Sequence, residues 1–219
     1  MTLSGPSWSP STFLKRYVAV APSSVDAETR SVSCIISTGA PVVRFYGIEL
    51  LEISRAAIDT SRVVSGLCPV LDSHQAGSIG AALGIVTETW IKSGALWGRL
   101  QLNETPQGDL AFGMIRRGEL NGVSAGYRVN RWRVKNDNGE TIDAENTYWN
   151  DGDHLTFIAE RWELLECSCV NIAADSGSGF RDEPHANANT IEDIRARMGA
   201  RQRMHDRMSL LYRDIGDLQ

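Results

Sequence analysis

The sequence predicts a mainly β fold with a few flanking helices, an α+β arrangement. Three stretches carry that expectation. Val123, Ala125, Tyr127 and Val129 fall at every second position, the period of a strand with one buried face. Leu96, Gly98, Leu100 and Leu102 alternate in the same way with Trp97, Arg99 and Gln101. Residues 161–170, Arg-Trp-Glu-Leu-Leu-Glu-Cys-Ser-Cys-Val, form the last strong strand pattern.

Size and charge bound the rest. The chain has 219 residues, is 42% hydrophobic and 22% charged, and carries a net charge of −5. That suits one domain with added segments, or two small domains. The acidic balance argues against a nucleic-acid partner held by bulk electrostatics. No apolar run approaches the roughly 20 residues of a membrane span, and no signal-peptide layout opens the chain. No membrane partner is expected, and the cytosol is the default setting. Cys34, Cys68, Cys167 and Cys169 form no C-x-x-C pair, so reduced, buried thiols are expected rather than zinc or disulfides.

Taken in order, residues 1–14 are rich in Ser and Pro and read as a flexible arm. Residues 31–37 are β-rich and read as a strand. Residues 48–58 carry apolar residues three and four apart, the spacing of a short helix. Residues 82–88 read as a strand. Asp109 is a candidate cap for a helix over residues 110–117, ended by Gly118. Residues 135–153 are polar and read as an insertion between strands. The main domain is expected over residues 15–175, with a Gly-Ser linker over residues 176–189. Thr190 is a candidate N-cap for a helical tail over residues 190–219, whose Ile191, Ile194, Met198, Met208, Leu211 and Ile215 lie near one stripe.

The chemistry centres on Ser124, set between Gly122 and Gly126. A serine hydroxyl is a weak nucleophile without a base. The histidines are His74, His154, His185 and His205. His185 follows the linker and His205 sits in a charged tail, so both are poor bases by position. His74 follows a short apolar run amid Asp, Ser and Gly, where an imidazole can sit at a strand end. His154 lies beside Asp151 and Asp153 and reads as a solvated loop residue, with a third-member role as the alternative. Gly122-x-Ser124-x-Gly126 also matches the nucleophile elbow of α/β-hydrolases. Its context is wrong, because an elbow joins a strand to a helix whereas Ser124 sits inside an alternating run.

Four blocks resemble the prohead (capsid maturation) serine proteases of tailed bacteriophages, which are related to the herpesvirus assemblins. They are Ala21-Pro22-Ser23-Ser24-Val25-Asp26 with Arg30; Pro69-Val70-Leu71-Asp72-Ser73-His74 with Ile79-Gly80; Gly118 to Tyr127; and Leu165-Glu166-Cys167-Ser168-Cys169-Val170. The run from about residue 17 to 174 carries the likeness. Departures are Ser73 where the family often has an acidic residue, Ile172-Ala173 where it often has Pro-Ala, and the long 135–153 insertion.

The resemblance implies an antiparallel β-barrel of the assemblin type. It implies Ser124 as nucleophile, His74 as general base and Glu166 as the carboxylate that orients the imidazole. Glu163 and His154 remain alternatives for that third place. Strict alternation would put Glu163 and Glu166 on opposite faces. Backbone N–H groups near Asn171 and Ile172 are the expected oxyanion hole. The implied activity is endopeptidase cleavage of phage scaffold and major capsid protein segments, and of the chain itself, inside the procapsid in the host cytoplasm. No cofactor and no metal are implied. A homodimer and a longer fusion product are compatible with the family. The tail would then target the protease to scaffold or shell. The alternative from another class is a non-enzymatic assembly or scaffold-binding module with the same fold.

Overall fold

The computed structural model describes residues 22–143 and 155–180. The arm over residues 1–14, His154, His185, His205, the rest of the linker and the helical tail lie outside the described residues.

The fold is mainly β. In chain order come β1 (Ser31–Ser37), β2 (Val42–Arg44), β3 (Gly47–Leu51), β4 (Ile58–Asp59), α1 (Ser61–Val64), β5 (Pro69–Asp72), a 3-10 turn (Ile79–Ala81), β6 (Ala82–Lys92), β7 (Ala95–Leu102), α2 (Pro106–Arg116), β8 (Gly122–Lys135), β9 (Thr141–Ile142) and β10 (Thr156–Val170). The expected strands at 31–37, 82–88, 96–102, 122–129 and 161–170 all form, most of them longer than the patterns alone mark.

β10 is the axis of the sheet. Along one edge it pairs antiparallel with β8, from Thr156 opposite Lys135 to Val170 opposite Gly122. Along the other edge three short strands follow one another, all parallel to it: β3 at residues 156–159, β4 at 162–163 and β5 at 167–169. From that edge the hydrogen-bonded path continues as β5-β6-β7-β1 and as β3-β2.

The ladders are mainly antiparallel, as expected, with β3, β4 and β5 as the parallel exceptions. Among the described residues the hydrogen-bonded path does not close, so the expected barrel is narrowed to a mainly β sheet. Instead the sheet curls, so that β1 packs against β8 through side chains without a ladder between them. Cys34 of β1 and Cys167 of β10 meet in this core, together with Val32, Val70, Leu100, Val123, Trp162 and Leu164. All four cysteines are buried free thiols. A hydrogen bond with Cys34, followed by burial, holds the Cys167 thiol well above its usual range.

The helix expected over residues 48–58 is corrected. That stretch supplies β3 and β4. Short apolar runs fit either period, and here pairing with β10 decides, because it satisfies the backbone of both segments. The helix near 110–117 does form, but its cap is Thr105, whose hydroxyl accepts the Gly108 N–H at 3.2 Å. Pro106 occupies the first turn, where its missing N–H has no cost. Asp109 instead binds the Arg30 guanidinium at 2.7 Å.

The segment expected to open the linker lies against the domain. The Asp175 carboxylate accepts from Ser37 Oγ at 3.1 Å, the Thr38 backbone N–H at 2.6 Å and Thr38 Oγ1 at 2.8 Å. Gly179 bridges to Ile35, and Phe180 is buried in the main core.

Candidate active site

Topology brings three distant sequence blocks to one spot. Ser124 on β8 lies directly opposite Ser168 on β10. On the far edge of β10, β5 ends at Asp72 opposite Cys169. The chain then turns over β10 at Ser73 and His74. The central strand itself supplies Glu166.

The turn is unusual. Ser73 and His74 are consecutive non-glycine residues in the left-handed region, with φ of 49° and 62°. Such a conformation costs of order 1 kcal/mol or more per residue and persists only where surrounding bonds impose it. Three bonds do so. Ser73 N–H donates to the Cys169 carbonyl at 3.1 Å, and Gln75 N–H to the Asp72 carbonyl at 2.9 Å. His74 N–H donates to Ser168 Oγ at 2.9 Å.

The imidazole lies between the other two groups. His74 Nδ1 is 2.6 Å from Glu166 Oε1, and Nε2 is 3.0 Å from Ser124 Oγ. An ionised carboxylate can only accept. Glu166 therefore fixes the tautomer with the proton on Nδ1, which leaves the Nε2 lone pair facing the Ser124 hydroxyl. Glu166 is nearly buried, and its second oxygen accepts from Ser168 Oγ at 2.7 Å. Both carboxylate oxygens are thus bonded, which offsets the cost of burying the charge.

Gly126 makes room for the carboxylate. A Cβ there would sit 2.0 Å from Glu166 Oε1. Gly122 has a different reason, since a Cβ would meet the Val170 carbonyl oxygen of the neighbouring strand at 2.2 Å.

A bulge corrects the expected alternation on β10. The register slips between Leu164 and Glu166, leaving Leu165 without a partner. Cross-strand partners share a face. Leu164, Cys167 and Cys169, opposite Tyr127, Ala125 and Val123, join the core. Glu163, Glu166 and Ser168, opposite Arg128, Gly126 and Ser124, share the other face. Glu163 and Glu166 therefore lie on the same face, not on opposite ones. Glu163 is bound by Arg62 at 2.6 Å and by Arg128, well along the strand from His74. Arg62 and then Arg128 hold its carboxyl below the usual carboxylate range.

The chain is similar in part to a phage capsid protein. Over 152 residues, 69% of this chain, it is 28% identical to the major capsid protein of Halomonas phage phiHAP-1. The match spans only 23% of that protein's length. No family model and no solved structure matches the chain. The similarity relates the chain to phage capsid proteins, and the arrangement of Ser124, His74 and Glu166 is the feature of this site with chemical consequences.

The surroundings leave the site accessible. His74 is nearly half exposed, with 46% of its side chain open to solvent. Asn171 and Ile172, at the exposed end of β10, follow Val170. Asn171 borders a cleft of about 170 Å³ beside Ser73, with Met114, Leu110 and Val170 on its walls. Among the described residues no group of His, Cys, Asp and Glu has the arrangement of a metal site, and no helix is long and apolar enough to cross a membrane. The residue that sequence reasoning missed is Ser168. The sequence places it two residues after Glu166, between two cysteines, but its partner, the His74 backbone, lies in the turn after β5 and leaves no local signal.

Proposed function

We propose that this chain is a serine endopeptidase acting in phage capsid maturation, with Ser124 as nucleophile, His74 as general base and Glu166 as its orienting carboxylate. The single observation that carries the reading is the imidazole of His74 held between Glu166 Oε1 and Ser124 Oγ at hydrogen-bond distance on both sides.

The chemistry follows from that order. His74 Nε2 takes the Ser124 proton as Oγ attacks a peptide carbonyl, and the imidazolium then protonates the leaving amine. Glu166 stabilises the imidazolium without itself taking the proton. Water repeats the cycle on the acyl-enzyme. Backbone N–H groups after Val170 are the proposed oxyanion donors. The proposed substrates are scaffold and capsid protein segments and the chain itself, cut inside the procapsid.

The likeness to a capsid protein favours a second reading on its own: a non-enzymatic capsid assembly module in which Ser124 and His74 are incidental. A three-group arrangement built across β5, β8 and β10, with a strained turn at its base, favours the first.

The two readings separate by intact-mass spectrometry of the full chain, incubated alone and with scaffold and capsid polypeptides. The endopeptidase reading expects truncated products with wild type and none with Ser124→Ala. Equal products from both, or intact polypeptides from both with substrate present, would favour the assembly module.

A further inference from the structure

The relay described above uses three side chains, yet a fourth is more deeply buried than any of them. Ser168 is fully buried and bonded on both sides. The roles of its hydroxyl are forced. The Glu166 carboxylate can only accept, so the Ser168 proton goes to Oε2, and the Oγ lone pair is left for the His74 N–H.

The two bonds act on opposite ends of one contact. One fixes the backbone of His74, in a turn that two consecutive left-handed residues make strained. The other fixes the carboxylate that the same His74 ring must meet at 2.6 Å. The Ser73 and Gln75 N–H groups donate to main-chain carbonyls, and the bond from Ser73 Oγ to Asp72 Oδ1 is exposed and stays within the turn. Of the main-chain N–H groups that tie the turn to β10, only that of His74 depends on a side chain. Water is a poor substitute there, because the hydroxyl is sealed within the strand pair.

We propose that Ser168 is a positioning residue, a hydroxyl clamp that ties the strained His74 turn to Glu166 and so sets the geometry of the His74–Glu166 hydrogen bond. This rests on the reading of Ser124, His74 and Glu166 as a catalytic relay, but the clamp can be tested separately.

The test is proton NMR of the full chain, following the low-field resonance of the His74 Nδ1–H, assigned by its loss in His74→Gln. Wild type and Ser124→Ala are expected to show it. Folded Ser168→Ala is expected to lose it through exchange with water, and to react with a fluorophosphonate at Ser124 about 100-fold more slowly, as expected for a misplaced base. An unchanged resonance in folded Ser168→Ala would overturn the clamp. Should Ser168→Ala not fold, Ser168→Cys, close in size but a weak donor, is judged by the same two outcomes. A wild-type resonance without fluorophosphonate reaction would end the endopeptidase reading, while the clamp would still be decided by the resonance alone.

Discussion

Gly126 shows how much of this site rests on one missing methyl group. A Cβ at that position would overlap Glu166 Oε1, the atom bonded to His74. The overlap extends to Cδ and Cγ of Glu166, at 2.6 and 2.7 Å, so Gly126→Ala should displace the whole side chain and lower the melting temperature as the buried carboxylate loses its bonds. Activity should fall about 100-fold, as for a base displaced from its productive geometry, and steady-state kinetics beside a thermal melt would check both parts. Glu163 makes the opposite case, a carboxylate on the same face that is committed to structure. Its folded carboxyl gives up its proton more readily than the unfolded one, because Arg62 and Arg128 bind the charged form. The stability it adds is therefore present above its ordinary value of 4.5 and is lost as pH falls through the lower folded value. Thermal melts across that acid range should show a steeper decline for wild type than for Glu163→Gln. Equal declines would remove this account of Glu163.

At the scale of elements, β10 does most of the organising. It carries Glu166 and Ser168, and it places β5 with His74 on one edge and β8 with Ser124 on the other. Trp162 anchors its middle, fully buried, with Nε1 donating to the Glu52 carbonyl at 3.0 Å. Trp162→Ala should cost about 3–5 kcal/mol of stability, read by denaturant unfolding. Much of this was legible in the sequence. The alternation around Ser124, the strand after Arg161 and the polar break at His74 are local signals, and local signals mark strands well. Three features were not legible. The parallel pairing of β3, β4 and β5 with β10 is non-local, and residues 48–58 fit a helix until that pairing is known. The bulge at Leu165 adds one unpaired residue, and a slip of one residue reverses every later side chain. Alternation alone therefore misassigned the relative faces of Glu163 and Glu166. The role of Ser168 depends on a turn from another strand, which no pattern within residues 161–170 contains.

At the scale of the whole molecule, the curl of the open sheet brings its terminal strand β1 back to the segment that follows β10. Asp175 ties the two by accepting from Ser37 and Thr38 at the end of β1. Asp175→Ala should destabilise by about 1–3 kcal/mol, the cost of leaving such donors unpaired, seen as a lower melting temperature. The stretch similar to a capsid protein covers 69% of this chain. That likeness does not by itself carry the protease reading, so the proposed protease and the assembly module part at the chemistry of Ser124. The most direct measurement is fluorophosphonate labelling of the full chain, alone and with scaffold protein, followed by peptide mapping. One adduct at Ser124 is expected, absent in Ser124→Ala and formed about 100- to 10,000-fold more slowly in His74→Gln. A folded wild-type chain that stays unlabelled in both settings, or one labelled as fast without His74, would contradict the proposed relay.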